Sequence, residues 1–319
     1  MGFFISDYFM SSINQNYIRQ FSSLDLYARQ VVEGFLTGMH KSPFHGFSVE
    51  FAEHRQYNRG ESIRHIDWKL YGKTEKLFVK KYEEETNLRC QLVIDSSSSM
   101  YFPFNNQKAK EGQRNKLDFA VHAAASLAYL FRQQRDAVGL TTFSEDIDIH
   151  LPAMSNLKHQ HRVFNEMENL LKEERMNRKS NLAETLHHVS DKIHKRSMVI
   201  IFSDLFDNSN RNMDDLYSAF QHLRHNKHEV ILFNVLDKNL EQELNFEDRP
   251  HTFIDPETGE QLKLNPLSLR NLYKKRIKEF EHEIDLKCGQ NQIDYTEVDI
   301  AEGFNPILLS FLAKRNRMK

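Results

Sequence analysis

From residue 88 to the C-terminus, short apolar runs alternate with longer stretches in which apolar side chains return every three or four positions. The runs at 90–94, 137–143, 147–151, 198–203, 230–235 and 293–298 predict strands. Several are apolar almost without interruption, as strands buried on both faces are. Residues 116–132 place Leu117, Ala120, Val121, Ala124, Leu127, Ala128 and Phe131 on one helical stripe. Residues 181–194, 213–225, 267–286 and 306–315 repeat that period. Strand and helix in alternation imply an α/β fold, a doubly wound, mostly parallel sheet with helices on both faces. Residues 250–264, with Pro256 and Gly259, read as an inserted hairpin or loop.

Upstream the texture changes. Ile13, Tyr17, Phe21, Leu24, Tyr27, Ala28, Val31, Val32, Phe35 and Leu36 keep a helical spacing that Gly38 is expected to end, so residues 1–40 form an N-terminal helical stem. Residues 41–87 read as a small β-rich module with strand character at 47–51 and 77–82, dense in charged side chains interleaved with aromatics. The α/β domain occupies 88–319.

Of the 319 residues, 39% are hydrophobic and 28% charged, which is ordinary for a globular chain and excludes disorder throughout. Lys and Arg total 43 against 45 Asp and Glu, a net charge of −2, and Glu50, Glu53, Glu61 and Asp67 interrupt the basic stretch of the module. No nucleic-acid role is expected. The two cysteines, Cys90 and Cys288, lie too far apart in sequence for a zinc ribbon and support no disulfide framework. The apolar stretches 123–131 and 198–202 are much shorter than the roughly 20 residues of a transmembrane helix. The first residues lack a signal peptide's basic and apolar regions. The expectation is a cytoplasmic protein without a transmembrane segment. The 16 histidines show no convincing ligand spacing, and H-E-x-x-H, G-x-S-x-G and the glycine-rich nucleotide loops are absent. No catalytic motif is present, and the chain is not expected to be an enzyme.

Ligands of such sheets bind beyond the carboxyl ends of the strands. The first strand of the domain runs into Asp95-Ser-Ser-Ser-Ser99, where Asp95, Ser97 and Ser99 make D-x-S-x-S. A carboxylate and two hydroxyls at alternate positions can aim three oxygens at one point, as hard cations such as Mg²⁺ or Mn²⁺ require. The strand at 198–203 ends on Asp204, a second carboxylate at the same edge, and Ser180 precedes a helix from which its hydroxyl can reach that point.

D-x-S-x-S, a later hydroxyl and a later Asp after a strand resemble the metal-ion-dependent adhesion site of von Willebrand factor A domains. The resemblance implies that Asp95, Ser97, Ser99 and Ser180 hold Mg²⁺ directly or through water, that Asp204 acts through water, and that an acidic group of a partner protein fills the open position. Ser180 departs from the usual Thr and keeps the hydroxyl. The preceding run, Gly46-Phe-Ser-Val-Glu-Phe51, Arg55-Gln-Tyr57, Gly60-Glu-Ser-Ile-Arg64, Ile66-Asp-Trp-Lys69, Leu77-Phe-Val-Lys80 and Tyr82-Glu-Glu-Glu85, resembles the bacterial domain-of-unknown-function 58 family, in which it leads into a von Willebrand A-like domain. That resemblance covers the chain from about Gly34 onward and implies an adaptor or chaperone-like role with a MoxR-type AAA+ ATPase.

Arg55, Tyr57, Arg59, Arg64 and Trp68 form a candidate partner surface, since guanidinium groups clamp carboxylates and aromatics anchor interfaces. Equally open is internal pairing, with Arg64 bonded to Asp67 or Glu61 and the motif packed inside. The alternative function is a Mg²⁺-dependent hydrolase or phosphatase-like enzyme using the same strand-end carboxylates, although Ser97 occupies the second position of the phosphatase pattern D-x-D.

Overall fold

The computed structural model describes residues 24–40, 54–56, 71–72, 74, 76–80, 88–104, 114–172, 176–205 and 213–318. The chain divides into two compact units, Met1–Phe35 with Leu88–Lys319, and Leu36–Asn87. Helix α1 (Leu24–His40) runs through Gly38 to His40 instead of ending at the glycine; the expected helix upstream of Leu24 lies outside the described residues. Its first turns are tied into the larger unit. The backbone amide of Leu24 donates to Glu168 at 2.8 Å, Arg132 forks onto Asp25 at 2.7 and 3.1 Å, and Arg114 donates to the Tyr27 hydroxyl at 2.8 Å.

In the smaller unit β1 (His54–Gln56) and β2 (Phe78–Lys80) form an antiparallel pair with Arg55 opposite Val79. The strand expected at 77–82 is thus found over 78–80. The expected strand at 47–51 and the candidate partner residues Tyr57, Arg59, Arg64 and Trp68 lie outside the described residues.

The larger unit is built on a six-stranded sheet. Its strands are β3 (Arg89–Asp95), β4 (Ala137–Phe143), β5 (Ile147–Met154), β6 (Met198–Ser203), β7 (Glu229–Leu236) and, after the hairpin β8 (His251–Ile254) and β9 (Gln261–Leu264), β10 (Ile293–Asp299). The order is β10-β7-β6-β3-β4-β5. All neighbours are parallel except β5, which returns antiparallel along β4. The sheet is therefore mixed and mostly parallel, as the strand–helix alternation implies. The chain moves outward from β3 through β4 and β5, then restarts on the other side of β3 with β6. The carboxyl ends of β3 and β6 flank that switch, where connections leave in opposite directions and a crevice opens.

Helices α2 (Lys116–Gln133), α3 (Leu157–Leu170), α4 (Leu182–Lys192), α5 (Met213–His225), α6 (Pro266–Gln290) and α7 (Asn305–Met318) cover the sheet. Because side chains alternate along a strand, Val93, Val199, Ile201, Val230 and Leu232 turn to one face. There they pack with Leu186 and Val189 of α4, Phe220 and Leu223 of α5, and Ile284 and Cys288 of α6. On α2 and α7, Phe131 meets Phe311 with ring centroids 5.0 Å apart. Helix α2 is buried over nearly its whole length and is rich in alanine, with Ala120, Ala123, Ala124, Ala125 and Ala128 all buried. Small side chains allow it to lie close against the sheet.

Helix α3 has no counterpart among the sequence-based expectations. Its composition is polar, but Val163, Phe164, Met167 and Leu170 fall on one buried stripe, and the Asn156 side chain caps it by accepting from the His159 amide at 2.8 Å. A strip of four apolar residues suffices because only one side of this helix is covered.

Gly139 marks the tightest backbone approach in the sheet. A Cβ there would stand 2.3 Å from Gln91 Oε1, 2.6 Å from the Leu151 carbonyl oxygen and 2.7 Å from the Ala153 amide nitrogen. The β4–β5 register shifts at this position, between Val138 and Leu140. Two of those three neighbours are backbone and cannot rotate away. Gly139→Ala is therefore expected to destabilise the larger unit by about 1–3 kcal/mol, read as a lowered urea midpoint with an unchanged slope; an unshifted midpoint would show that β5 moves freely.

Candidate functional site

Asp95 ends β3 in full burial, and the chain supplies it with donors from two loops and the end of β6. Ser180 Oγ, just before α4, donates to Oδ2 at 2.9 Å, and Ser203 Oγ, at the end of β6, donates to the same oxygen at 2.8 Å. The Ser97 amide donates to Oδ1 at 2.9 Å. Ser97 Oγ and Ser99 Oγ are hydrogen-bonded at 3.1 Å. A serine hydroxyl that gives its hydrogen to a carboxylate keeps oxygen lone pairs free to face a cation. Asp95, Ser97, Ser180 and Asp204 are all at most 4% exposed, and Ser99 is 9% exposed.

The loops are braced against one another. Ser96 stays in register with β4, its amide and hydroxyl donating to the Phe143 carbonyl at 2.7 and 2.8 Å. The Ser98 amide donates to the Arg178 carbonyl at 2.9 Å, and the Arg178 amide returns a bond to Ser98 Oγ at 2.8 Å. This exchange locks the loop bearing Ser97 and Ser99 to the loop bearing Ser180. The Asn181 amide donates to the Ser144 carbonyl at 2.9 Å and ties that second loop to the end of β4.

Asp204 is placed differently. Its carboxylate accepts from the Lys116 ammonium at 2.7 Å, and the same ammonium donates to Glu241 at 2.6 Å. Lys116 is the first residue of α2 and wholly buried. Burial works against its charge, but Asp204 and Glu241 more than offset this and hold its pKa above the ordinary lysine value. Glu241 rides on a single π-helical turn after β7, Lys238–Gln242, capped by Asp237, which accepts from the Leu240 amide at 3.0 Å. Burial raises the Glu241 carboxyl, and Lys116 lowers it. Asp95 is pushed above the usual carboxylate range by burial first and then by the charge of Asp204.

A further carboxylate arrives from the β8–β9 hairpin. Glu257 at its tip is 3% exposed, and among the described residues neither of its oxygens has a hydrogen-bond partner of acceptable geometry. Burial pushes its carboxyl up to about 8, with the charge of Asp204 adding to the rise, the nearby Ser99 hydroxyl opposing it and Asp95 adding again. The hairpin tip is pinned over the strand ends by a bond from the Asn177 amide to the Pro256 carbonyl at 3.3 Å. Beside the cluster lies a cavity of about 360 Å³, with Ser180 and Asp204 at one edge and Leu205, Met213, Leu216 and Phe280 among its walls.

All five residues of the sequence-derived metal set thus meet at the β3–β6 switch point. As a donor set it fits a hard cation. Asp95, Asp204 and Glu257 bring carboxyl groups, Lys116 engages Asp204 and Glu241 with its ammonium, and the remaining donors are hydroxyl oxygens. Among the described residues no three His, Cys, Asp or Glu side chains are gathered as a metal-holding group, so a cation here would depend on serine oxygens together with Asp95. Burial pushes the Cys288 thiol up to about 12 and raises that of Cys90, which suits neither to nucleophilic chemistry.

The family described as protein of unknown function DUF58 matches residues 53–283. The chain belongs to this family. Uncharacterized proteins of Mycobacterium tuberculosis and Mycobacterium bovis are 26% identical to this DUF58 chain over 215 residues, 67% of its length. The chain spans 63% of the length of those curated relatives. Similar solved structures include a conserved hypothetical protein BatB from Bacteroides thetaiotaomicron, at 12% identity and TM-score 0.41, covering 72% of this chain and 98% of that one. An aerotolerance-related membrane protein from Bacteroides fragilis is 13% identical at TM-score 0.45, covering 72% and 99%. An uncharacterized membrane spanning protein from Vibrio fischeri is 13% identical at TM-score 0.24, covering 71% and 97%. The cytoplasmic location expected from the sequence does not stand beside these neighbours, two of which are named as membrane proteins. Among the described residues, no helix is long and apolar enough to cross a membrane.

Three site residues escaped sequence reasoning. Lys116 carried a signal, because a lysine in the first turn of a helix opposes the helix dipole and calls for an acidic partner. Glu241 follows a strand end by a few residues, the zone where ligands gather in such sheets. Glu257 had none, since its hairpin reaches the site only through the tertiary fold. Lys116→Met, which removes the ammonium and leaves Asp204 and Glu241 buried together, is expected to cost about 3–5 kcal/mol. Without Lys116 the folded-state value of Glu241 climbs further above its unfolded one, so the penalty grows as pH rises from about 5 to about 8. Chemical unfolding at both pH values checks the size and the sign.

Proposed function

We propose that the larger unit is a von Willebrand A-like domain whose β3–β6 switch point holds Mg²⁺ or Mn²⁺ and binds an acidic side chain of a partner protein. The observation that carries this reading is the convergence of Asp95 with the hydroxyls of Ser97, Ser99 and Ser180, all buried at one strand end. Asp95, Ser97, Ser99 and Ser180 would hold the ion, with Asp204 acting from behind. When bound, the ion supplies a Lewis-acidic position that attracts a carboxylate. Lys116 offsets one of the two charges of Asp204 and Glu241, which reduces the negative charge left to the site and so favours acceptance of a carboxylate from outside. The neighbouring cavity, walled by Leu205, Met213, Leu216 and Phe280, suits an apolar side chain next to that acidic residue. A MoxR-type AAA+ ATPase is the partner proposed, on family resemblance.

The hydrolase alternative gains nothing from the geometry: Asp204 is engaged by Lys116, and Ser97 stands where the phosphatase pattern carries its second carboxylate.

The test is calorimetry with Mg²⁺ and Mn²⁺ on the wild type, Asp95→Ala and Asp204→Asn, joined to capture of a purified MoxR-type ATPase with and without EDTA. Loss of a ligand should weaken metal binding by more than about 100-fold in Asp95→Ala, and loss of an outer carboxylate by about 10–100-fold in Asp204→Asn. Capture should fail in EDTA and in Asp95→Ala. Equal null isotherms for all three proteins would sink the metal site. Capture that ignores metal would move the interface to the module carrying Arg55, Tyr57, Arg59, Arg64 and Trp68.

A further inference from the structure

Glu257 presents a physical problem that the proposed site solves. It is 3% exposed and, among the described residues, neither oxygen makes a hydrogen bond of acceptable geometry, the Ser99 hydroxyl standing close by without the alignment of one. A buried polar group left without a partner costs about 1–3 kcal/mol, and more when charged. The turn that places it is nevertheless well built. Asp255 accepts from the Glu257 amide at 2.9 Å and from Thr258 Oγ1 at 2.8 Å, and Gly259, at φ 75°, lets the chain reverse into β9. The Asn177 bond to Pro256 then fastens this tip to the segment leading into Ser180. Ordered structure thus holds a buried, poorly satisfied carboxyl group beside Ser99, Asp204 and Asp95.

We infer that Glu257 is an intramolecular ligand of the metal ion, occupying the coordination position that a partner's acidic side chain takes, so that the β8–β9 hairpin is a self-occupying latch over the adhesion site. The inference rests on the metal reading proposed above. Asp95 and Glu257 then supply the carboxylates bound directly and the serines supply hydroxyls, while Asp204 stays with Lys116. A partner must displace Glu257, and the hairpin tip must lift from Asn177, before an outside carboxylate reaches the ion. Burial of the whole cluster in this conformation is the covered state. The chemistry recognised is a single aspartate or glutamate side chain that competes with one the protein already carries.

The experiment uses the full chain with Mn²⁺ as the probe, comparing wild type, Glu257→Ala and Glu257→Gln. The readouts are Mn²⁺ affinity by titration and the number of Mn²⁺-bound waters by water-proton relaxation. The wild type should hold Mn²⁺ with one water fewer than Glu257→Ala and more tightly, the loss being smaller than in Asp95→Ala because a ligand that a partner must displace holds the ion less firmly than a permanent one. Glu257→Gln, whose amide oxygen is a weaker ligand, should lie between. Added acetate should enter the Mn²⁺ shell of Glu257→Ala, removing the extra water, and leave the wild type unchanged. Equal water numbers and equal affinities in wild type and Glu257→Ala would overturn the latch while leaving the metal site standing. Absence of Mn²⁺ binding in all three proteins would overturn both. The apo form of Glu257→Ala should melt no lower than the wild type, which confirms that the variant is folded.

Discussion

A carboxylate at the buried end of a central strand is the constraint around which this domain is arranged. Asp95 lies where water cannot solvate it, and burial of an ionised group is tolerated only when other dipoles replace the lost water. The chain replaces it with the Ser180 and Ser203 hydroxyls and the Ser97 amide. These come from two loops and the end of β6, so the carboxylate acts as the knot between them. The loop geometry at the switch point, the exchange between Ser98 and Arg178, and the tie from Asn181 to Ser144 follow from keeping those three donors in reach.

The second layer of the arrangement is charge. Lys116 stands between Asp204 and Glu241, so the first residue of the most buried helix binds the ends of β6 and β7 together. That placement defies the helix dipole locally and succeeds because two carboxylates converge on it. An ion pair of this kind adds little net stability over an apolar substitute. Its effect is positional, since it orients Asp204 toward the ammonium.

Much of this was readable from residue order, for local reasons. The strands of the large sheet were found because apolar runs buried on both faces do not depend on distant context, and β4 and β6 match their predicted ranges. Asp95, Ser97 and Ser99 share one turn, and Ser180 and Asp204 adjoin predicted elements, so strand-end logic assembled them. Helix α3 escaped because polar residues outnumber the four that it buries. Glu241 and Glu257 escaped because a π-helical turn and a hairpin tip carry no sequence period that points inward. The expectation of a glycine stop at Gly38 failed for a simpler reason: a glycine costs a helix about 1 kcal/mol relative to alanine, which does not oblige the helix to end.

The antiparallel return of β5 has an effect on what the sheet can join. The shift in its pairing with β4 falls opposite Pro152, a residue with no amide hydrogen to offer a newcomer, and interrupted ladders twist an edge out of line. Lengthening the sheet by docking another strand is therefore disfavoured along this border. Along this edge, association with other molecules is left to side chains and loops, which can be altered one residue at a time without disturbing the hydrogen-bonded framework beneath them.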